Sequence, residues 1–188
     1  GLFFALVYRK NRYDIHDLAF KDAVTTGGNN TWFRYEAEKI LRNASKSSYA
    51  LIILDIDNLK ILNDTYGYDT GNNVLNFVYN LVLNLLSKDE AVARVMQDDF
   101  AILVKYISDK DIENGLNHIV QKMNECNMAS LGLDENYVIS LSVGVYVIED
   151  KGLNMLSIQD RAYMALNTKK KTQGSLLRYA FFQEKDRV

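Results

Sequence analysis

Apolar residues fall along this chain in two rhythms, one of three-to-four spacing and one of continuous short runs. Trp32, Phe33, Ala37, Ile40, Leu41 and Ala44 recur at helical spacing, which predicts a helix over Thr31–Ala44. Tyr49–Ile56 is apolar almost without a break and rich in isoleucine and leucine, the pattern of a strand buried on both faces. Asn58–Tyr66 predicts a short helix or turn closed by Gly67. Asn72–Leu86 predicts a long helix with a broad apolar face that includes Val74, Leu75, Val78, Leu81 and Val82. Ala91–Val95 and Asp99–Tyr106 predict a hairpin turning at Met96–Asp98, although it lacks Asn-Gly turn chemistry. Ser108 with Asp111 three residues on marks a helix start, and Ile112, Leu116, Ile119, Val120 and Met123 supply that helix's buried face. Tyr137–Ile148 predicts a strand containing Gly144, Leu153–Lys171 a helix, and Ser175–Phe182 a last strand. Strand, two helices, hairpin, helix, strand, helix, strand is the order of an α/β sandwich. It predicts a ferredoxin-like βααββαβ core with an extra helix and strand, and a central sheet containing antiparallel pairs. Residues 1–20 read as a helical lead-in, 21–188 as the domain, and Asp22–Asn30 as a polar loop between them.

Bulk properties narrow the function. The 188 residues suit one domain, and 48% hydrophobic with 24% charged residues suits a globular one. A net charge of −2 supplies no basic field for nucleic acid. Cys126 is the sole cysteine, so no internal disulfide forms, and His16 with His118 offers no zinc spacing. Gly1–Tyr8 is apolar and is followed by Arg9-Lys10-Asn11-Arg12. That stretch is far short of the about 20 residues that span a bilayer. Apolar residues running straight into arginine and lysine do resemble the cytoplasmic end of a membrane helix. The expectation is a cytoplasmic domain anchored through a segment preceding Gly1. An amphipathic helix that packs on the domain or pairs as a coiled coil fits the same residues.

Candidate chemistry sits where predicted strands end. The run Tyr49–Leu54 leads into Asp55-Ile56-Asp57, and the hairpin tip carries Asp98-Asp99. Carboxylates at buried strand ends are costly unless a cation or donors satisfy them. If the two strands are neighbours, Asp98 and Asp99 face Asp55, and a metal relieves their repulsion. Magnesium suits such a site, because it takes one or two carboxylates together with substrate phosphates and water. Backbone amides at the following turn, with Lys60, offer a phosphate contact. Solvated aspartates at a strand end and a turn remain the plainer reading of each segment alone.

Taken together, LIILDIDNLKILNDTYGYDTGNNVL and ARVMQDDFAILV resemble the GGDEF domain of diguanylate cyclases. Asp22-Ala23-Val24-Thr25-Thr26-Gly27 resembles that family's opening D-x-L-T-G-L loop, Ser140–Val145 its S-I-G-V strand, and Ala165–Lys170 its A-L-Y-x-A-K helix. The resemblance runs from residue 20 to 182. It implies a homodimer that condenses two GTP molecules into cyclic di-GMP. Asp55, the Ile56 carbonyl and Asp98 would hold magnesium. Asp99 falls on the acidic position that serves metal binding and activation of the 3′-hydroxyl. Asn63 falls on a guanine-binding position, and Lys60 and Lys170 on phosphate-contacting lysines.

Departures from the family pattern point to a degenerate site. Met96 and Gln97 stand where the signature has two glycines, and their side chains are expected to add bulk where substrate lies. Asp99 replaces a glutamate. Asn72 replaces an aspartate that accepts from guanine, and an amide accepts without the charge. Gly174 falls near a phosphate-contacting arginine. Ser87-Lys88-Asp89-Glu90 stands where a product-inhibition motif R-x-x-D is expected. Three readings follow: a GTP- and magnesium-binding regulatory module beside a phosphodiesterase or other output domain, an active cyclase, and a dimerising scaffold that binds no nucleotide.

Overall fold

The computed structural model describes residue 5 and residues 17–150, 152–169 and 175–187. Its elements are α1 (Asn30–Leu41), β1 (Tyr49–Ile56), α2 (Leu59–Tyr66), α3 (Tyr68–Leu85), β2 (Ala91–Arg94), β3 (Asp99–Lys105), α4 (Asp109–Asn124), β4 (Leu141–Val147), α5 (Met155–Lys169) and β5 (Leu177–Phe181). One sheet has the order β2-β3-β1-β4-β5. Every neighbouring pair is antiparallel except β4 with β5. The first four strands and the helices between them are the predicted ferredoxin-like core.

Strand β1 lies at the centre and is buried along its whole length, because helices cover both faces. On one face, Ala50, Ile52, Leu54 and Ile56 pack with Leu62 of α2, Val74 and Val78 of α3, and Leu116 and Met123 of α4. On the other, Tyr49, Leu51 and Ile53 pack with Phe33 and Ala37 of α1 and with Ile158, Ala162 and Leu166 of α5. Gly144 of β4 lets α5 lie directly on the sheet, since a Cβ there would stand 2.0 Å from the Ala162 carbonyl oxygen. This contact sets where α5 crosses the strand ends.

Element starts differ from the sequence expectation in two places that matter. Helix α3 begins at Tyr68, not Asn72, because Gly67 (φ 90°) ends α2 and opens α3 with no loop between them. A residue with a Cβ rarely adopts that φ. Strand β4 begins at Leu141, not Tyr137, because Asn124 draws Ile139 out of the ladder. The Asn124 side chain accepts from the Ile139 amide at 3.3 Å and donates to its carbonyl at 3.2 Å. The predicted α4 cap is present, with Ser108 Oγ accepting from the Asp111 amide at 3.2 Å.

Most of the helical lead-in lies outside the described residues, as do Arg9–Arg12, Lys170, Lys171 and Gly174. Among the described residues, no helix is long and apolar enough to cross a membrane.

Candidate functional site

Strand register brings the acidic residues together. Asp55 pairs directly with Asp99 across β1 and β3, and the Ile56 amide donates to the Asp98 carbonyl at 3.2 Å. Asp55, Asp98 and Asp99 each present a carboxylate oxygen, and these oxygens lie within 4.8 Å of one another. Asp55 is 4% exposed and Asp99 5%. Ile56 turns its side chain into the core and offers the site only its backbone. Three carboxylates this close, two of them buried, carry a strong mutual repulsion. An all-oxygen donor set of this charge fits a hard divalent cation such as magnesium.

Asp57 lies beyond the end of β1 and does different work. Its carboxylate accepts from the Ser140 and Ser142 hydroxyls, each at 2.7 Å, and pairs with Arg178 at 2.6 Å. It ties the end of β1 to β4 and β5, and it is not among the three clustered carboxylates. Tyr163 of α5 also meets the site, and nothing in the sequence rhythm singles it out. Burial, together with the charges of Asp99, Asp55 and Asp98, holds its phenol protonated far above the ordinary tyrosine range. Only the crossing of α5 over Gly144 carries this residue to the strand ends.

On the α2–α3 side of the same sheet end lies a cleft of about 450 Å³ lined by Lys60, Asn63, Asn72, Arg94, Gln97 and Asp98, among others. Asp98 therefore belongs to both the carboxylate cluster and the cleft. Lys60 stands in the first turn of α2, which follows Asn58 in the left-handed conformation (φ 59°). Lys60, Asn63 and Asn72 all line the cleft. Lys170 lies outside the described residues.

The hairpin tip corrects part of the expectation of damage. Among the described non-glycine residues, positive φ occurs at Thr26, Ser47, Asn58 and Asp89, not at Met96 or Gln97. The turn is wide enough, closed by the Val95 amide on the Asp99 carbonyl at 2.9 Å, to need no glycine. Met96 is 60% exposed and does not line the cleft, whereas Gln97 does. Arg94 braces the tip from behind. It donates to the Gln97 carbonyl at 3.0 Å and pairs with Asp22 at 2.8 Å. Burial pushes the Asp22 carboxyl upward, but hydrogen bonds from Thr25, Arg94 and Val24 outweigh this and hold it below the ordinary carboxylate range.

A family model described as diguanylate cyclase, GGDEF domain, matches residues 19–175. The chain belongs to the GGDEF family. This places the domain among those of bacterial cyclic di-GMP signalling. It is 29% identical over 175 residues to the probable diguanylate cyclase DgcT of Escherichia coli, covering 91% of the chain and 36% of that protein. It is 28% identical to the cyclic di-GMP phosphodiesterase NbdA of Pseudomonas aeruginosa, covering 83% of the chain and 20% of that protein. It is 30% identical to an uncharacterized membrane protein of Staphylococcus aureus, covering 79% of the chain and 40% of that protein. The domain thus spans well under half the length of each of these relatives. Among solved structures, the coiled coil and GGDEF domain of DgcB from Caulobacter crescentus, in complex with c-di-GMP, matches with a TM-score of 0.78. Identity there is 23%, with 94% of this chain and 93% of that one covered.

The segment in place of the product-inhibition motif is closed on itself. The Glu90 carboxylate accepts from the Ser87 amide at 2.7 Å and the Lys105 amide at 3.0 Å, and Lys105 Nζ donates to the Lys88 carbonyl.

Proposed function

We propose that this GGDEF domain binds GTP with magnesium as a regulatory module, with little or no cyclase activity of its own. The observation that carries the reading is Asp98, which joins the buried carboxylate cluster to the neighbouring cleft. Asp55, Asp98, Asp99 and the Ile56 carbonyl would hold the ion. Bound there, the ion neutralises triphosphate charge. Lys60, the first amides of α2 and Lys170 take the phosphates, while Asn63 and Asn72 meet the base.

Weak catalysis follows from three departures. Asp99 is buried and one methylene shorter than the family's glutamate, and rate falls about 100-fold for a displacement of about 1 Å. Gln97 lines the cleft where the family has glycine. Gly174 supplies no charge where an arginine is expected. The regulated partner is an adjoining output domain of a longer, membrane-anchored, dimeric protein, and a phosphodiesterase fits best. The relatives support this context, since one is named a phosphodiesterase and another a membrane protein. A second reading, an active cyclase, is favoured by the unstrained turn at Met96-Gln97.

Incubation with GTP and magnesium at concentrations that favour a dimer, followed by chromatography for cyclic di-GMP, separates the two readings. No product is expected, and steady turnover would establish the cyclase. Thermal melting with GTP tests binding itself, because a ligand of the native state raises the melting temperature. A magnesium-dependent rise is expected. No rise at millimolar GTP would leave a scaffold that binds no nucleotide.

A further inference from the structure

Asparagines crowd helix α3, and they do not behave alike. Asn73 donates to the Leu131 carbonyl at 3.2 Å, Asn76 to the Asn72 carbonyl at 3.0 Å, and Asn80 to the Asn76 carbonyl at 2.8 Å. Asn84 faces solvent. Asn72 is half-buried in the cleft wall, and its amide group makes no hydrogen bond to any described residue. The other cleft asparagine, Asn63, packs one end of its amide against α3. Its Oδ1 is sealed from solvent without a hydrogen-bond partner among the described residues. It is packed so closely on α3 that a Cβ at Gly71 would stand 1.8 Å from it. That leaves the Asn63 NH2 as the group turned to the cleft.

Amide chemistry decides what these two can read. An ionised carboxylate only accepts, so at position 72 it would suit the adjacent N1–H and N2–H donors of guanine and repel the N1 lone pair of adenine. An asparagine amide carries one accepting and one donating end. With guanine, its oxygen takes N1–H while its NH2 meets O6. Turned over, its oxygen takes an adenine N6–H while its NH2 meets N1. Arg94, also in the cleft, brings donors only and is already committed to Asp22 and the Gln97 carbonyl. Asp98 is the cleft's carboxylate, and it belongs to the acidic cluster. No described residue of the lining therefore penalises adenine.

We propose that this cleft takes either purine nucleoside triphosphate, Asn72 reading guanine or adenine by turning its amide over and Asn63 donating to a ring nitrogen that both bases carry. The inference rests on the nucleotide-binding reading above and widens its ligand class. Titrations of the chain with GTP, ATP and UTP at saturating magnesium, followed by calorimetry, test it. GTP and ATP are expected to bind within about threefold of each other and UTP about tenfold or more weaker, because a pyrimidine lacks the purine ring nitrogen that Asn63 meets, and one good base contact supplies discrimination of about that size. Asn72→Asp is expected to shift the ratio about tenfold or more toward GTP, mostly through loss of ATP. A matching far-ultraviolet spectrum would show that this variant is folded.

A native preference for GTP of tenfold or more, equal binding of UTP, or an unchanged ratio in Asn72→Asp each overturns the proposal. Binding of GTP without ATP removes this inference and leaves the nucleotide-binding reading standing. No response to any of the three removes both.

Discussion

Asp55 and Asp99 face each other across paired strands and are almost wholly buried, whereas Lys60, Asn72 and Gln97 line the neighbouring cleft from helix and hairpin surfaces. The first group is fixed by backbone register. Moving it by one residue would turn every core side chain of β1 to the wrong face. The second group is fixed by little beyond its own rotamers. The carboxylate side can therefore persist through sequence change while the cleft side drifts, and this chain shows that division. Among its departures from the family pattern, Asn72 and Gln97 line the cleft, and the lone change among the buried carboxylates conserves charge at Asp99.

The sharpest way to break the comparison is to remove the brace that both sides share. Arg94→Ala strips the partner from Asp22 and the prop from the Gln97 carbonyl. Removing this half-buried ion pair together with the hydrogen bond to the Gln97 carbonyl costs about 3 kcal/mol. Chemical denaturation should show a loss of that size, and a loss under about 1 kcal/mol would mean that the hairpin holds itself.

Next in size is the carboxylate side. Asp55→Ala should abolish the magnesium-dependent part of any nucleotide stabilisation, worth about 2.7 kcal/mol when ligand stands at 100 times its dissociation constant. Without metal the same variant should melt no lower than the parent, because one of three repelling charges is gone. A preserved magnesium effect would refute the metal assignment.

The cleft side should respond in binding and barely in stability. In Gly71→Ala, the new methyl forces the Asn63 amide to rotate. Nucleotide affinity should fall about tenfold, the discrimination of a single good base contact. The gain in helix propensity, about 1 kcal/mol, offsets the local strain. If calorimetry finds unchanged affinity, Asn63 does not read the base.

Acid titration separates the brace from the cleft more gently. The Asp22 carboxyl is depressed in the folded state, so its contribution is whole above the ordinary value of about 3.9. It is lost as pH falls from there through the lower folded value. Asp22→Asn should flatten the acid limb of the stability curve in that window. An identical acid limb in parent and variant would remove Asp22 from the account. The smallest effect is expected at Met96→Gly, an exposed position with no positive φ, where stability should stay within about 0.5 kcal/mol.

Much of the fold was legible because its signals are local. Continuous apolar residues mark β1, three-to-four spacing marks the faces of α1, α3 and α4, and Ser108 with Asp111 marks a cap. The misplaced boundaries lie where a distant or singular residue overrides local pattern. Asn124 removes Ile139 from β4, and Gly67 fuses two helices that a polar stretch seemed to separate. At the site, motif spacing brought Asp55, Asp98, Asp99, Lys60, Asn63 and Asn72 to one end of the sheet, and Lys170 lies outside the described residues. Tyr163, Arg178 and the Arg94–Asp22 brace carried no such signal, because each depends on elements far apart in sequence.

Sequence by itself determined the strands, the helices, the family and the acidic positions, since periodicity and motif order are written along the chain. Only the tertiary structure decided that Asp55 and Asp99 share one register pair, that Met96 lies outside the cleft lining, and that Asn72 stands in the cleft wall with its amide uncommitted among the described residues. Those facts depend on which strand lies beside which and on where α5 and α3 cross the sheet end. Such contacts are set by packing across the whole core.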